Sequence, residues 1–182
     1  MKKANLAKCL IVVSLLPAVS IAQTVNLTGK TTSKVTAKVV KPDKFEVTDD
    51  KGGWFGQGLQ MQQVGGWDTP YEVKARLRVL STSRDFQVRL DEAVQIRHQT
   101  KPTQIFRNPS VTLGADGAAA KPLAVGQNAS FTNPAPPVAG NDSEGYYNLN
   151  VSAYPPEGDF KSTAGTYSGV LSMTFEPVVR AP

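Results

Sequence analysis

The chain has 182 residues, 40% of them hydrophobic and 19% charged, with 20 Lys plus Arg against 15 Asp plus Glu. This is the length of about one domain and the composition of a folded one, which excludes a large multidomain enzyme, an acidic disordered tail and a bundle of membrane helices. Its 15 glycines and 13 prolines point to many turns.

The first segment reads as an export signal. Lys2, Lys3 and Lys8 form a positive start, residues 9–17 an apolar stretch, and Ser20-Ile21-Ala22 the small-x-small pattern of a signal-peptidase site, so cleavage is expected before Gln23. The apolar run is shorter than the roughly 20 residues a membrane helix needs. Removal of 22 residues from 182 leaves 160, and because three lysines leave with the signal, the net charge falls from +5 to +2. A nucleic-acid surface gathers its cations on one face. Here Lys74, Arg76, Arg78 and Arg89 alternate with apolar residues, as on a solvated strand face, and no nucleic-acid partner is expected. Cys9 follows a lysine and precedes the apolar run, which argues against lipidation and leaves the mature chain without a thiol. An exported domain without disulfides depends on its core or on partner chains.

Behind the cleavage site, Val25, Leu27, Gly29 and Thr31 alternate with Asn26, Thr28 and Lys30, the period of two that sends successive side chains to opposite faces of a strand. Val35, Ala37 and Val39 mark a second strand, Phe45 and Val47 a third, Leu59 and Met61 a fourth. Turn residues such as Pro42-Asp43, Asp50-Lys51-Gly52-Gly53 and Gly65-Gly66 separate them. The clearest strand follows: Tyr71, Val73, Ala75, Leu77 and Val79 alternate with Glu72, Lys74, Arg76 and Arg78. Phe86, Val88 and Leu90 repeat the pattern, and Ser81-Thr82-Ser83-Arg84 between the two runs reads as the loop of an antiparallel hairpin. Residues 115–120 contain Gly117 and no apolar face, so they read as a surface loop. Tyr147, Leu149, Val151 and Ala153 form another strand. Residues 165–175, with Tyr167, Gly169, Leu171, Met173 and Phe175 on one side, read as one long closing strand. No segment carries a sustained helical stripe.

Short strands at this spacing predict an all-β fold, a β-sandwich of immunoglobulin-like topology. An outer-membrane barrel would need longer strands with aromatic girdles, against 8% aromatics here.

Residues suited to chemistry are few. His98 is the single histidine, so neither a zinc shell nor a nucleophile pair forms readily around it, and it reads as a surface or edge-strand residue. Asp49-Asp50, Asp91-Glu92 and Asp142 with Glu144 fall at strand ends or in loops, where acids suit turns and water. Gly52-Gly53, Gly56 and Gly58 lack the lysine-serine ending of a phosphate loop, so no cofactor, metal or catalytic site is expected. The Asn-x-Ser/Thr triplets at Asn26, Asn128, Asn141 and Asn150 are too short to imply glycosylation behind a leader of bacterial appearance. Trp54, Phe55 and Trp67 lie in glycine-rich loops, where they either cover the end of the core or stack on a ligand.

The two ends of the chain are the most informative. The alternating residues 25–31 have no obvious partner strand, and the pattern alone suits pairing within their own sheet and donation to a neighbour equally. That extension, the closing Gly165-Thr166-Tyr167-Ser168-Gly169-Val170-Leu171 run and the Thr31-Thr32-Ser33-Lys34 join before a valine-rich strand together resemble the pilins of chaperone-usher fimbriae. The likeness is to the cysteine-free alpha-fimbrial colonisation-factor and common-pilus pilins, not to the disulfide-bearing type 1 pilins. The resemblance implies a structural, non-enzymatic fimbrial subunit. Residues 23–33 would be a donor strand and residues 34–182 an incomplete sandwich, exported through the periplasm to the cell surface and serving adhesion. It implies as partners neighbouring copies or related pilins, a periplasmic chaperone, an outer-membrane usher and a host receptor. Val25, Leu27, Gly29 and Thr31 would then be donor positions. Tyr167, Gly169, Leu171, Met173 and Phe175 would line the acceptor groove, with β-augmentation as the binding mode. A minor or tip adhesin binding ligand through Trp54, Phe55 and Trp67, a self-contained periplasmic or secreted binding module, and a secreted enzyme on a sandwich scaffold are the alternatives.

Overall fold

The computed structural model of the protein describes residues 43–53, 55–56, 58–66 and 68–178, all within the compact unit Pro42–Pro182. The expected leader, the alternating residues 25–31, the Val35 strand, Trp54 and Trp67 lie outside the described residues. The strands, in chain order, are β1 (Phe45–Asp49), β2 (Gln62–Gln63), β3 (Tyr71–Ser81), β4 (Asp85–Leu90), β5 (Arg97–His98) and β6 (Arg107–Ala115). They continue with β7 (Lys121–Pro122), β8 (Ala129–Thr132), β9 (Ser143–Tyr154), β10 (Tyr167–Ser168) and β11 (Met173–Pro177), and one helical turn, α1 (Phe160–Thr163), precedes β10. One sheet runs β1-β3-β9-β6-β7 with β2 also on β3, another runs β11-β4-β8, and β10 pairs with β5. Every pairing between these strands is antiparallel.

The sandwich follows from the period of two. In β3 the inward row Ala75, Leu77 and Val79 is buried, while Lys74 and Arg76 are exposed. β9 sends in Tyr147, Leu149, Val151 and Ala153, and β6 adds Val111 and Leu113. Phe86, Val88 and Leu90 of β4 and Phe131 of β8 meet them in the same core. Phe86 packs edge-on against Tyr147, with ring centroids 5.2 Å apart, the offset geometry that aromatic quadrupoles favour. The outward charges pair along the surface: Arg78 with Glu144 and Arg89 with Glu176, each at 2.9 Å, and Arg76 with Asp116.

Two expectations about connectivity are corrected. β3 and β4 do not form a hairpin. β9 pairs with all of β3 from Tyr71 to Ser81, and on its other side β1 takes Leu77–Ser81 while β2 takes Tyr71–Glu72. With both edges engaged, the chain crosses at Thr82–Arg84 to the facing sheet, where Arg84 Nε donates to the Asn133 carbonyl at 3.0 Å and Ser83 Oγ to that of Val178 at 2.6 Å. Alternation has the same form in strands that pair and in strands that face each other across a core. The second correction is to residues 165–175, which break into β10 and β11. Their partner chain is irregular between the end of β4 and the start of β5. There Gly169 runs so close to Gln95 that a Cβ would stand 2.4 Å from the Gln95 carbonyl oxygen.

Smaller differences follow from length. Leu59 and Met61 are half-buried against the core but belong to no strand, and β2 forms just after them. α1 is one turn, too short to carry a helical stripe, and is set by its cap: the Asp159 carboxylate accepts from the Ser162 amide at 2.7 Å. Residues 116–118 turn as expected, with the Ala118 amide donating to Ala115 at 3.0 Å.

Candidate functional site

The two ends of the sandwich differ. Where β3 ends and β9 begins, a buried polar cluster closes the core. Asn133 Nδ2 donates to the carbonyls of Val79 at 3.1 Å and Ser143 at 3.4 Å, while its Oδ1 accepts from the Tyr147 hydroxyl at 2.8 Å. Ser143 Oγ donates to the Ser81 carbonyl at 2.8 Å. Burial raises the Tyr147 phenol to about 12.

At the other end of β3 the core opens into an apolar groove of about 1430 Å³. Tyr167, Gly169, Leu171 and Met173 line one stretch of it. Phe55, Leu59 and Met61, with Tyr71 and Val73 of β3, line another. Core residues Leu77, Leu149, Val151, Val94, Ile96 and Phe106 also reach its surface. Among the described residues β11 is an edge strand, paired on one side only, with β4. Such an edge presents a row of free main-chain donors and acceptors, a ready template for another strand.

A run of rings fixes the Tyr167 wall. His98 meets Tyr167 at 4.8 Å, Tyr167 meets Phe106 at 5.0 Å and Phe106 meets Tyr71 at 5.3 Å, all edge-to-face. The Tyr167 hydroxyl donates to the Thr163 carbonyl at 2.7 Å, which ties β10 to α1, and burial raises its phenol above the ordinary value. His98 is on a short strand as expected, but its side chain is buried, not at the surface. Nδ1 accepts from the amides of Thr100 at 3.1 Å and Lys101 at 3.2 Å, so the ring proton sits on Nε2 and donates to the Ala164 carbonyl at 3.3 Å. Its role here is to prop the groove wall. At the mouth, Arg107 pairs with Glu157 at 2.9 Å. Among the described residues no group of three His, Cys, Asp or Glu is placed to hold a metal ion.

Of the residues singled out from sequence, Tyr167, Gly169, Leu171 and Met173 come together on the groove. Phe175 is half-buried against the core from β11 and does not line it. Phe55 is half-buried against the core and also lines the groove. Leu59, Met61, Val94, Ile96 and Phe106 were not foreseen as groove residues. For Val94 and Ile96 the signal was available: with His98 they alternate against Gln95 and Arg97.

An antiparallel immunoglobulin-like sandwich with an apolar groove beside an unpaired edge defines a pilin-type domain. Residues 29–176 match the CS1 type fimbrial major subunit family, and the chain belongs to it. The fold is similar to the CooA pilin subunit from enterotoxigenic Escherichia coli, with a TM-score of 0.53 at 16% identity over 76% of this chain and 90% of that one. A chain described under a chaperone-tip adhesin complex in CFA/I fimbriae biogenesis is similar at TM-score 0.41 and 16% identity, over 81% of this chain and 41% of that one. No curated protein matches the sequence. The protein is a structural subunit of a fimbria, of a family of building blocks and not of enzymes.

Proposed function

We propose that this subunit polymerises by donor-strand exchange, its groove receiving residues 23–33 of a neighbouring copy. The observation that carries the reading is the groove itself: core residues of the sandwich lie open beside the one-sided edge of β11. Val25, Leu27 and Thr31 supply the inserted side chains, and Gly29 the small position where donor and acceptor come closest. Tyr167, Gly169, Leu171 and Met173 contact the donor, and Phe175 supports them from β11. Burying Val25 and Leu27 contributes roughly 1.5 to 3 kcal/mol each, and main-chain hydrogen bonds to β11 add to this. Because donor and acceptor are different surfaces of one chain, the contact is head-to-tail and yields a filament. Before assembly a periplasmic chaperone covers the groove, an outer-membrane usher exchanges it for the donor, and the fimbria at the cell surface serves adhesion to a host receptor.

The test compares residues 23–182 with a chain whose own residues 23–33 are moved behind Pro182 through a flexible linker. The moved segment is expected to give a monomer of much higher thermal stability, while the native order polymerises. A native-order chain that is a stable monomer, and is weakened by the move, places the segment in its own sheet and rejects the proposal.

A further inference from the structure

Most large apolar residues of the groove lining are at least half-buried, but two are not: Phe160 is 86% exposed and Val170 is 69% exposed. Exposed apolar side chains are common, and alone they mean little. Phe160 is distinguished by the rigidity of its mounting. It is the first residue of α1, a turn held at its start by the Asp159 carboxylate on the Ser162 amide. Thr163 Oγ1 and Ser162 Oγ both donate to the Asp159 carbonyl, at 2.8 and 3.0 Å. From the neighbouring loop, Lys101 Nζ and Gln104 Nε2 both donate to the Ser162 carbonyl, at 3.1 and 2.9 Å. Tyr167, itself a groove residue, closes on Thr163. A one-turn helix with no buried residue is thus anchored from three directions, and its single large apolar side chain stays in solvent at the groove. Among the described residues no ring packs against that aromatic side chain.

We propose that Phe160, with Val170, is a preformed rim that covers an inserted strand and slows its release, the occupant being residues 23–33 of a second copy. The inference rests on the strand-exchange reading above and adds to it a residue outside both β10 and β11. The match to this occupant is chemical. Residues 25–31 carry apolar Val25 and Leu27 on one side and polar Asn26, Thr28 and Lys30 on the other. An inserted strand therefore buries one row in the core and leaves its backbone open to cover from the rim. The anchored turn presents Phe160 without the ordering entropy a mobile loop would lose on binding.

The experiment uses the mature chain, residues 23–182, and a fluorescent peptide of residues 23–33, with anisotropy to follow its release during a chase with unlabelled peptide. Phe160→Ser is expected to release the peptide about tenfold faster than the wild type, because changes at one interface appear mainly in the off-rate. Phe160→Leu is expected to lie between them. Without peptide, and below the concentration at which the chain polymerises, Phe160→Ser should leave the thermal midpoint of the monomer unchanged within about 1 °C, as a solvent-exposed position predicts. Equal release rates overturn the rim role and leave the groove reading standing. A midpoint several degrees lower in the peptide-free chain makes Phe160 an internal contact and also overturns it. No peptide binding to the wild type overturns the groove reading and the rim together.

Discussion

The closed end of the sandwich rests on Asn133, and its removal should cost stability without altering the groove. Asn133 is fully buried, and the Asn133→Ala substitution strips the Tyr147 hydroxyl and the Val79 carbonyl of partners at 2.8 and 3.1 Å. A buried polar group left unmatched costs about 1 to 3 kcal/mol, so a loss of about 2 to 4 kcal/mol is expected. Tyr147→Phe removes the hydroxyl and frees only Asn133 Oδ1, and should cost about 1 to 2 kcal/mol. The double variant should lose less than the two single losses combined, by about 1 kcal/mol, because each single change already breaks the shared bond. Urea unfolding of the mature chain at one protein concentration gives these values, with equal slopes confirming a common unfolded state. Ultraviolet titration adds an independent check: a phenol raised to about 12 by burial keeps its proton past pH 10 in the folded chain. Its contribution is complete below pH 10 and is lost as the pH rises through 12. A loss under about 0.5 kcal/mol for Asn133→Ala, with strict additivity, would refute the view that this cluster closes the core.

Two further tests concern the surface and the groove wall. Arg78 holds the Glu144 carboxyl at about 2, well below its ordinary value, with the Tyr146 hydroxyl helping. Its stabilisation is therefore complete above about pH 4.5 and is lost as the pH falls through 2. Glu144→Gln should flatten that part of the stability profile, by less than about 1 kcal/mol because the pair is partly solvated. Gly165→Ala would place a Cβ 2.0 Å from His98 Nε2. The ring is pinned through Nδ1 and Tyr167, so the strain should pass to β10 and weaken filament growth. His98→Ala should relieve part of the defect in the double variant, as polymer length by light scattering would report.

How far the fold could be read in advance depended on where the information resides. Inward rows were legible because burial acts residue by residue: Leu77, Val88 and Leu149 each carry it in their own side chain and spacing. Pairing was not, because the choice of β4's partner depends on whether β3 has a free edge, which β1 and β9 decide from up to 82 residues away. The break in the closing strand has the same origin, since it lies in the irregular segment opposite and not in residues 165–175. His98 was placed on a strand but not in the core. The feature that buries it is a contact with Tyr167 and a missing Cβ at Gly165, both distant in sequence. Tyr167, Gly169, Leu171 and Met173 of the closing run reach the groove surface and Phe175 does not, while Leu59 and Met61, read as a strand, reach it by packing without forming one.

The difference between the two ends of the sandwich bears on how a subunit whose only cysteine is Cys9, and which therefore has no internal disulfide, can be stable. A polar cluster such as Asn133, Ser143 and Tyr147 can be completed inside one chain, and its members lie on β9 and just beyond β8. An apolar groove cannot complete itself that way, since only more apolar surface fills it. If that surface comes from a neighbour, the stability of each subunit includes a binding term that grows with occupancy. A disulfide would act differently, stabilising the empty and filled states alike and so adding nothing to the drive for assembly. On the strand-exchange proposal, a fimbrial subunit firm at Asn133 and open at Leu171 would reserve its remaining stabilisation for the polymer. On that reasoning, filling the groove should raise the unfolding midpoint far more than any single repair at the closed end.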